Sequence, residues 1–182
     1  MKMDNLILQR LAEWREKYGM LPQIVDLYAQ LLQVRMEMRS AIELPDYSHL
    51  AGAVVDSRLR EGLPVLDLNE FRLEWDCVRY SFQAVIDILA EHRAGEFEET
   101  ELLKDIISND DLLQQLVRDW LRGLSPSPVA SGYGVINEGF LGLVIQAALS
   151  PFLAAYSEAV LPLIDQALWR RRFCPVCGGK PD

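Results

Sequence analysis

Histidine and cysteine are scarce in this sequence, with two of the first and three of the second. A low, odd cysteine count excludes the disulfide framework of a small secreted domain. A glycine-rich phosphate loop is missing, and so is a Gly-x-Ser-x-Gly nucleophile elbow. Nothing therefore marks a nucleotide-dependent enzyme or a serine hydrolase. His49 in "DYSHLAG" reads as a partly buried structural histidine, and His92 in "LAEHRAG" as a cation at a helix C-terminus. The paired acids Glu98-Glu99 and Asp110-Asp111 fall at expected helix starts, where they complement the helix dipole rather than form an acid–base pair.

Positive charge is also short. Eighteen Lys and Arg face 27 Asp and Glu, for a net charge of −9. A broad grip on nucleic acid needs clustered cations, so that class is disfavoured. The one dense basic run, Arg170, Arg171 and Arg172, is expected to end a helix, where cations suit the negative end of the dipole. A continuous apolar leader is lacking too, because charge recurs throughout "MKMDNLILQRLAEWREKYG". The expectation is a cytoplasmic, reducing location. Residues 139–157, "GFLGLVIQAALSPFLAAYS", are uncharged but contain Gln146, Ser150, Pro151 and Ser157. A membrane span takes about 20 strongly apolar residues, so this stretch reads as a buried helical hairpin.

What the sequence does have is helical periodicity. Leu6, Leu8, Leu11 and Trp14 open a first helix that Gly19 can stop. Pro22 starts a second, whose stripe is Ile24, Leu27, Leu31, Val34, Met38 and Ile42, with Pro45 beyond it. "DYSHLAGAVVDSRLREG" predicts a third helix, capped by Asp46 and stopped by Gly62. "LPVLDL" reads as an extended connector. In "NEFRLEWDCVRYSFQAVIDILAEHR", Phe71, Trp75, Val78, Phe82, Val85 and Leu89 repeat as a bundle seam, with Cys77 beside it as a small apolar residue. Two short helices are divided near Ser108, Asn109 and Asp110. The breaker-rich loop 124–134, "LSPSPVASGYG", is the best candidate for an exposed contact segment. In the apolar last third, Pro151 should divide two helices and Pro162 should kink the second. The fold class is all-α, a bundle of about six to eight helices followed by a C-terminal Cys-x-x-Cys knuckle.

That knuckle is the one motif with chemistry in it. In "FCPVCGG", Cys174 and Cys177 bracket a turn in which Pro175 fixes φ and Gly178 can take positive φ. A metal knuckle needs two thiolates on one side of such a turn, with backbone N–H groups aimed at the sulfurs. A redox dithiol is the rival, but that pair normally opens a helix, and Gly178-Gly179-Lys180-Pro181 is a poor helix start. A structural site takes four ligands. The other two could come from Cys77, His49 and His92, from a second chain in a homodimer that shares one four-thiolate site, or from sequence beyond Asp182. The last is the leading expectation. It divides the chain into a helical domain, 1–172, and the start of a truncated rubredoxin-like or zinc-ribbon module, 173–182.

The layout as a whole, with "LWRRRFCPVCGGKPD" leading from helices into the knuckle and an internal "EGLPVLD", resembles the formate dehydrogenase accessory proteins of the FdhE type. Members of that family are longer and carry several Cys-x-x-Cys pairs, where this sequence shows only the first. The resemblance implies a cytoplasmic maturation factor, not itself an enzyme, that contacts the catalytic subunit of a molybdenum- or tungsten-dependent formate dehydrogenase. It implies zinc or iron in the complete module and leaves the metal content of this chain open. Of the family's functional residues only Cys174 and Cys177 carry over. Two other classes stay in view. One is a zinc-ribbon regulator acting on nucleic acid, favoured by the adjoining arginines and opposed by the net charge. The other is an enzyme with a pocket in the apolar last third.

Overall fold

The computed structural model describes residues 2–18, 22–43, 46–47, 50, 52–66, 71–92, 97–124 and 136–178. Seven α-helices and no strand occur among them, so the all-α expectation is borne out. In chain order they are α1 (Lys2–Tyr18), α2 (Pro22–Ala41), α3 (Gly52–Glu61), α4 (Trp75–His92), α5 (Phe97–Ser108), α6 (Asp110–Leu121) and α7 (Glu138–Val160). Helices α2, α4 and α7 pack against one another pairwise, α5 lies on α4, α6 on α5, and α1 on α2.

The α4 seam forms as its spacing predicts. Val78, Phe82, Val85 and Leu89 are fully buried, and Phe71 and Trp75 pack at its edge. The helix starts later than expected, however, because residues 71–74 are not helical. The carbonyl of Arg72, which a helix would use internally, instead accepts the Tyr156 hydroxyl at 2.6 Å. Phe71 stacks edge-on against the same tyrosine, with ring centroids 5.0 Å apart. A tertiary contact thus outcompetes one turn of helix.

The division between α5 and α6 falls where the cap cluster places it. Asn109 has extended backbone, and its side-chain oxygen accepts from the N–H groups of Asp111 and Leu112 at 3.0 and 3.2 Å. This is an N-cap, which satisfies donors that the first helical turn cannot. Asp110 and Asp111 follow in that first turn. Helix α3 starts at Gly52 rather than at Asp46, which is outside any helix, but it stops at Gly62 (φ +76°) as expected. The expected contact loop lies outside the described residues apart from Leu124.

The last third departs most from expectation. Pro151 does not divide two helices; it lies buried inside a continuous 23-residue α7, so the stretch is one helix and not a hairpin. A proline inside a helix cannot donate to the carbonyl four residues back, and its ring opens that turn. Ser81, fully buried on α4, donates its hydroxyl to the Ala148 carbonyl in this turn at 2.8 Å. The carbonyl that loses its helical donor is that of Ala147; the Ser81 bond falls one residue further on and ties α4 to the turn that the proline opens. Helix α7 is long and apolar enough to cross a membrane by length and composition alone, but more than half of that window is buried inside the fold. Pro162 does not kink a second helix. It sits in a single 3₁₀ turn, Leu161–Leu163, that follows the end of α7. The arginine run therefore does not end a helix. Arg170, Arg171 and Arg172 lie in irregular chain after a second 3₁₀ turn, Gln166–Leu168.

Candidate functional site

Cys174 and Cys177 stand on a tight turn over Pro175, Val176 and Cys177. The Gly178 N–H closes it on the Cys174 carbonyl at 2.9 Å, and Gly178 has φ +72°. The positive φ is what requires glycine, since a Cβ there would meet the Pro64 ring only at an ordinary 3.4 Å.

The turn is not an appendage. The N–H of Val65 donates to the Pro175 carbonyl at 2.9 Å, and the N–H of Leu66 to the Val176 carbonyl at 3.0 Å. Val176 is 2% exposed and belongs to the main core, with Val65 and Leu66 beside it. The segment 62–66 is itself tied back to α3, because Leu63 N–H donates to the Arg58 carbonyl at 2.8 Å and the Arg58 guanidinium donates to the Val65 carbonyl. On the other side, the Trp169 indole donates to the Phe173 carbonyl at 2.7 Å. The extended connector "LPVL" is therefore the cradle of the cysteine turn. Only its oddity as a proline-broken apolar run between two helices signalled that.

The electrostatics follow from this geometry. The Cys174 thiol is pulled down to about 5, first by a hydrogen bond from the Cys177 side chain; burial opposes this, and the backbone N–H groups of Cys177 and Val176 add to the lowering. Backbone donors aimed at a sulfur stabilise its thiolate, the form that binds metal. A soft or borderline divalent cation fits this pair as half of a tetrahedral set. Among the described residues no group of three or more Cys, His, Asp or Glu side chains could hold a metal ion, so none of them completes the set. Cys77 lies on α4 and His92 at that helix's last position, where it meets Gln30 at 3.3 Å. His49 lies outside the described residues.

Two open clefts are the alternative sites. One of about 430 Å³ is lined by Glu43, Arg72, Glu74, Cys77 and Tyr156, among others, and one of about 320 Å³ by Trp75 and Arg118, among others. Among the described residues the first brings a thiol to two carboxylates but to no histidine. The Tyr156 hydroxyl on its wall is already committed to the Arg72 carbonyl; the tyrosine's pKa is raised, chiefly by burial.

The class of protein is then an all-α domain with a cysteine turn built into one end of its core. Over 181 residues, 99% of its length, the chain is 27% identical to the "Protein FdhE homolog" of Aquifex aeolicus (strain VF5). This likeness agrees with the FdhE-type resemblance carried by the ending of the sequence. The chain spans 58% of that relative's length. No family model matches the chain, and no solved structure matches it.

Proposed function

We propose that the chain is the helical, client-binding part of an accessory factor that helps mature a molybdenum- or tungsten-dependent formate dehydrogenase. In this reading it acts in the cytoplasm by contacting the catalytic subunit and performs no catalysis itself. The observation that carries the proposal is the likeness to an FdhE homolog over nearly the whole chain. The cysteine turn supports it, because a thiolate pair set into the rim of a helical core is the start expected for a rubredoxin-like module. Cys174 and Cys177 would hold two of four bonds to zinc or iron, with the remaining ligands supplied from outside the described residues. The metal would act there as a cross-link between that module and the helical core.

The test uses purified components. The full-length protein should co-elute with the catalytic subunit of formate dehydrogenase in size-exclusion chromatography. A clean failure to bind would remove the proposal. Elemental analysis of the same protein should find metal that is lost in Cys174→Ser.

A further inference from the structure

The arginine run is left without its simplest explanation once α7 is seen to end at Val160. The three residues sit on the irregular segment that leads into the cysteine turn, and among the described residues none of them makes an ion pair or hydrogen bond. The guanidinium of Arg171 lies over Gly62, where any side chain would begin. This lays the segment 170–173 along the end of α3 and the chain that follows it. Leu63 (49% exposed) and Phe173 (46% exposed) flank the crossing, and Arg60 on the last turn of α3 adds a cation whose nearest carboxylate, Asp56, is 3.9 Å away.

Both halves of this surface are held in place. The chain at 62–66 is fixed by the clasp to Pro175 and Val176, and the backbone at Phe173 by the Trp169 indole. Four of the chain's 18 cations, against one carboxylate, Glu61, thus fall on the two short segments 60–63 and 170–173 that meet where Arg171 crosses Gly62, on a molecule of net charge −9. Exposed apolar anchors on fixed backbone that also carries arginines are the composition of a protein-binding surface. The footprint is too small, and the molecule too acidic, for the long cation track that grips a phosphate backbone.

We infer that Arg60, Leu63, Arg170, Arg171, Arg172 and Phe173 form a docking surface for an acidic segment of a partner protein that carries an apolar or aromatic anchor. Charge complementarity selects the segment, and Leu63 with Phe173 receives the anchor. The inference rests on the reading of this chain as a protein that acts by binding another, but not on which protein that is.

The probe is a fluorescein-labelled peptide of glutamates around one tryptophan, titrated with the full chain by fluorescence anisotropy. A peptide with lysines in place of the glutamates and a polyuridylate strand serve as comparisons. The acidic peptide should bind, and its affinity should fall as salt rises. It should weaken about tenfold in Arg170→Glu/Arg172→Glu, which places like charges against the peptide, and also in Phe173→Ser. Both variants change exposed side chains, and unchanged helical circular dichroism verifies the fold. Binding no stronger than that of the lysine peptide overturns the inference, as does equal binding by the variants. So does tighter binding of polyuridylate that the same variants lose. A second arm uses the purified catalytic subunit. If wild type and Arg170→Glu/Arg172→Glu bind it equally, the surface is wrong and the maturation reading stands. If wild type fails to bind it while the peptide result holds, the surface stands and that reading fails.

Discussion

Two ends of this molecule achieve order in opposite ways. The cysteine turn has few residues and no regular secondary structure, yet two clasping hydrogen bonds, a buried valine and a positive-φ glycine fix it. Helix α1 has 17 residues and a full ladder of its own, yet no described side chain on it is buried. Leu8 and Leu11 are half-buried against the fold, while Leu6, Ile7 and Trp14 face outward and Arg15 reaches Asp26 of α2 at 2.9 Å. Regular secondary structure is thus a poor guide to what holds this protein together. Packing between residues far apart in sequence decides it.

The largest expected effect tests that difference at its strong end. Val176→Asp would bury a carboxylate in the apolar core. It should destabilise the whole domain by about 3 kcal/mol or more, read as a lowered urea midpoint with the helical signal lost in the same transition. If the helices instead keep their midpoint while the turn alone opens, the turn is only an ornament on the domain. A chemical test comes next. Because the Cys174 thiol is pulled down to about 5, its thiolate persists as pH falls from 8 to 6. Its alkylation rate in the native, metal-free protein should change by less than about threefold over that range, against about tenfold per pH unit for an ordinary thiol near 8.5. The sign follows for stability as well. A depressed thiol favours the fold above its unfolded value, and that support is lost as pH falls toward 5. Mass spectrometry of alkylated peptides separates Cys174 from Cys77 and Cys177.

Where one helix face meets the core, the sequence was readable. The Val78, Phe82, Val85 and Leu89 seam and the Asn109 cap are set by spacing and by local hydrogen bonding, which short stretches of sequence contain. The Cys174 and Cys177 pair was readable for the same reason, since turn chemistry is local. Its cradle was not, because nothing within "LPVL" announces a partner more than 100 residues away. Pro151 misled in a similar fashion. Its helix-breaking tendency is local, but the Ser81 hydroxyl that braces the opened turn at Ala148 comes from another helix, and a serine on an apolar seam looks incidental until that carbonyl is seen.

Ser81→Ala probes that compensation and should have a middling effect. It leaves the Ala148 carbonyl buried with its side-chain donor gone, beside a proline that already weakens the turn. A loss of about 1–3 kcal/mol in urea unfolding is expected. In the double variant with Pro151→Ala, which restores an N–H for the Ala147 carbonyl and lets the turn close around its neighbour Ala148, the cost of losing Ser81 should shrink. Equal costs in both backgrounds would show that the serine and the proline are uncoupled.

The smallest expected effect lies at the weak end of the comparison. Trp14, 59% exposed on α1, is the largest side chain on that helix. If α1 is held by its own ladder and by contacts along α2 rather than by a core, Trp14→Ser should shift global stability by no more than about 0.5 kcal/mol. Amide exchange gives the complementary measurement. The amides of α1 should exchange through local opening, well before those of α4 and α7, which lie at the centre of the packing. A loss above about 1 kcal/mol, or α1 protection equal to that of α4, would mean that this outer helix shares the cooperative unit of the core, and the contrast between the two ends would be one of appearance only.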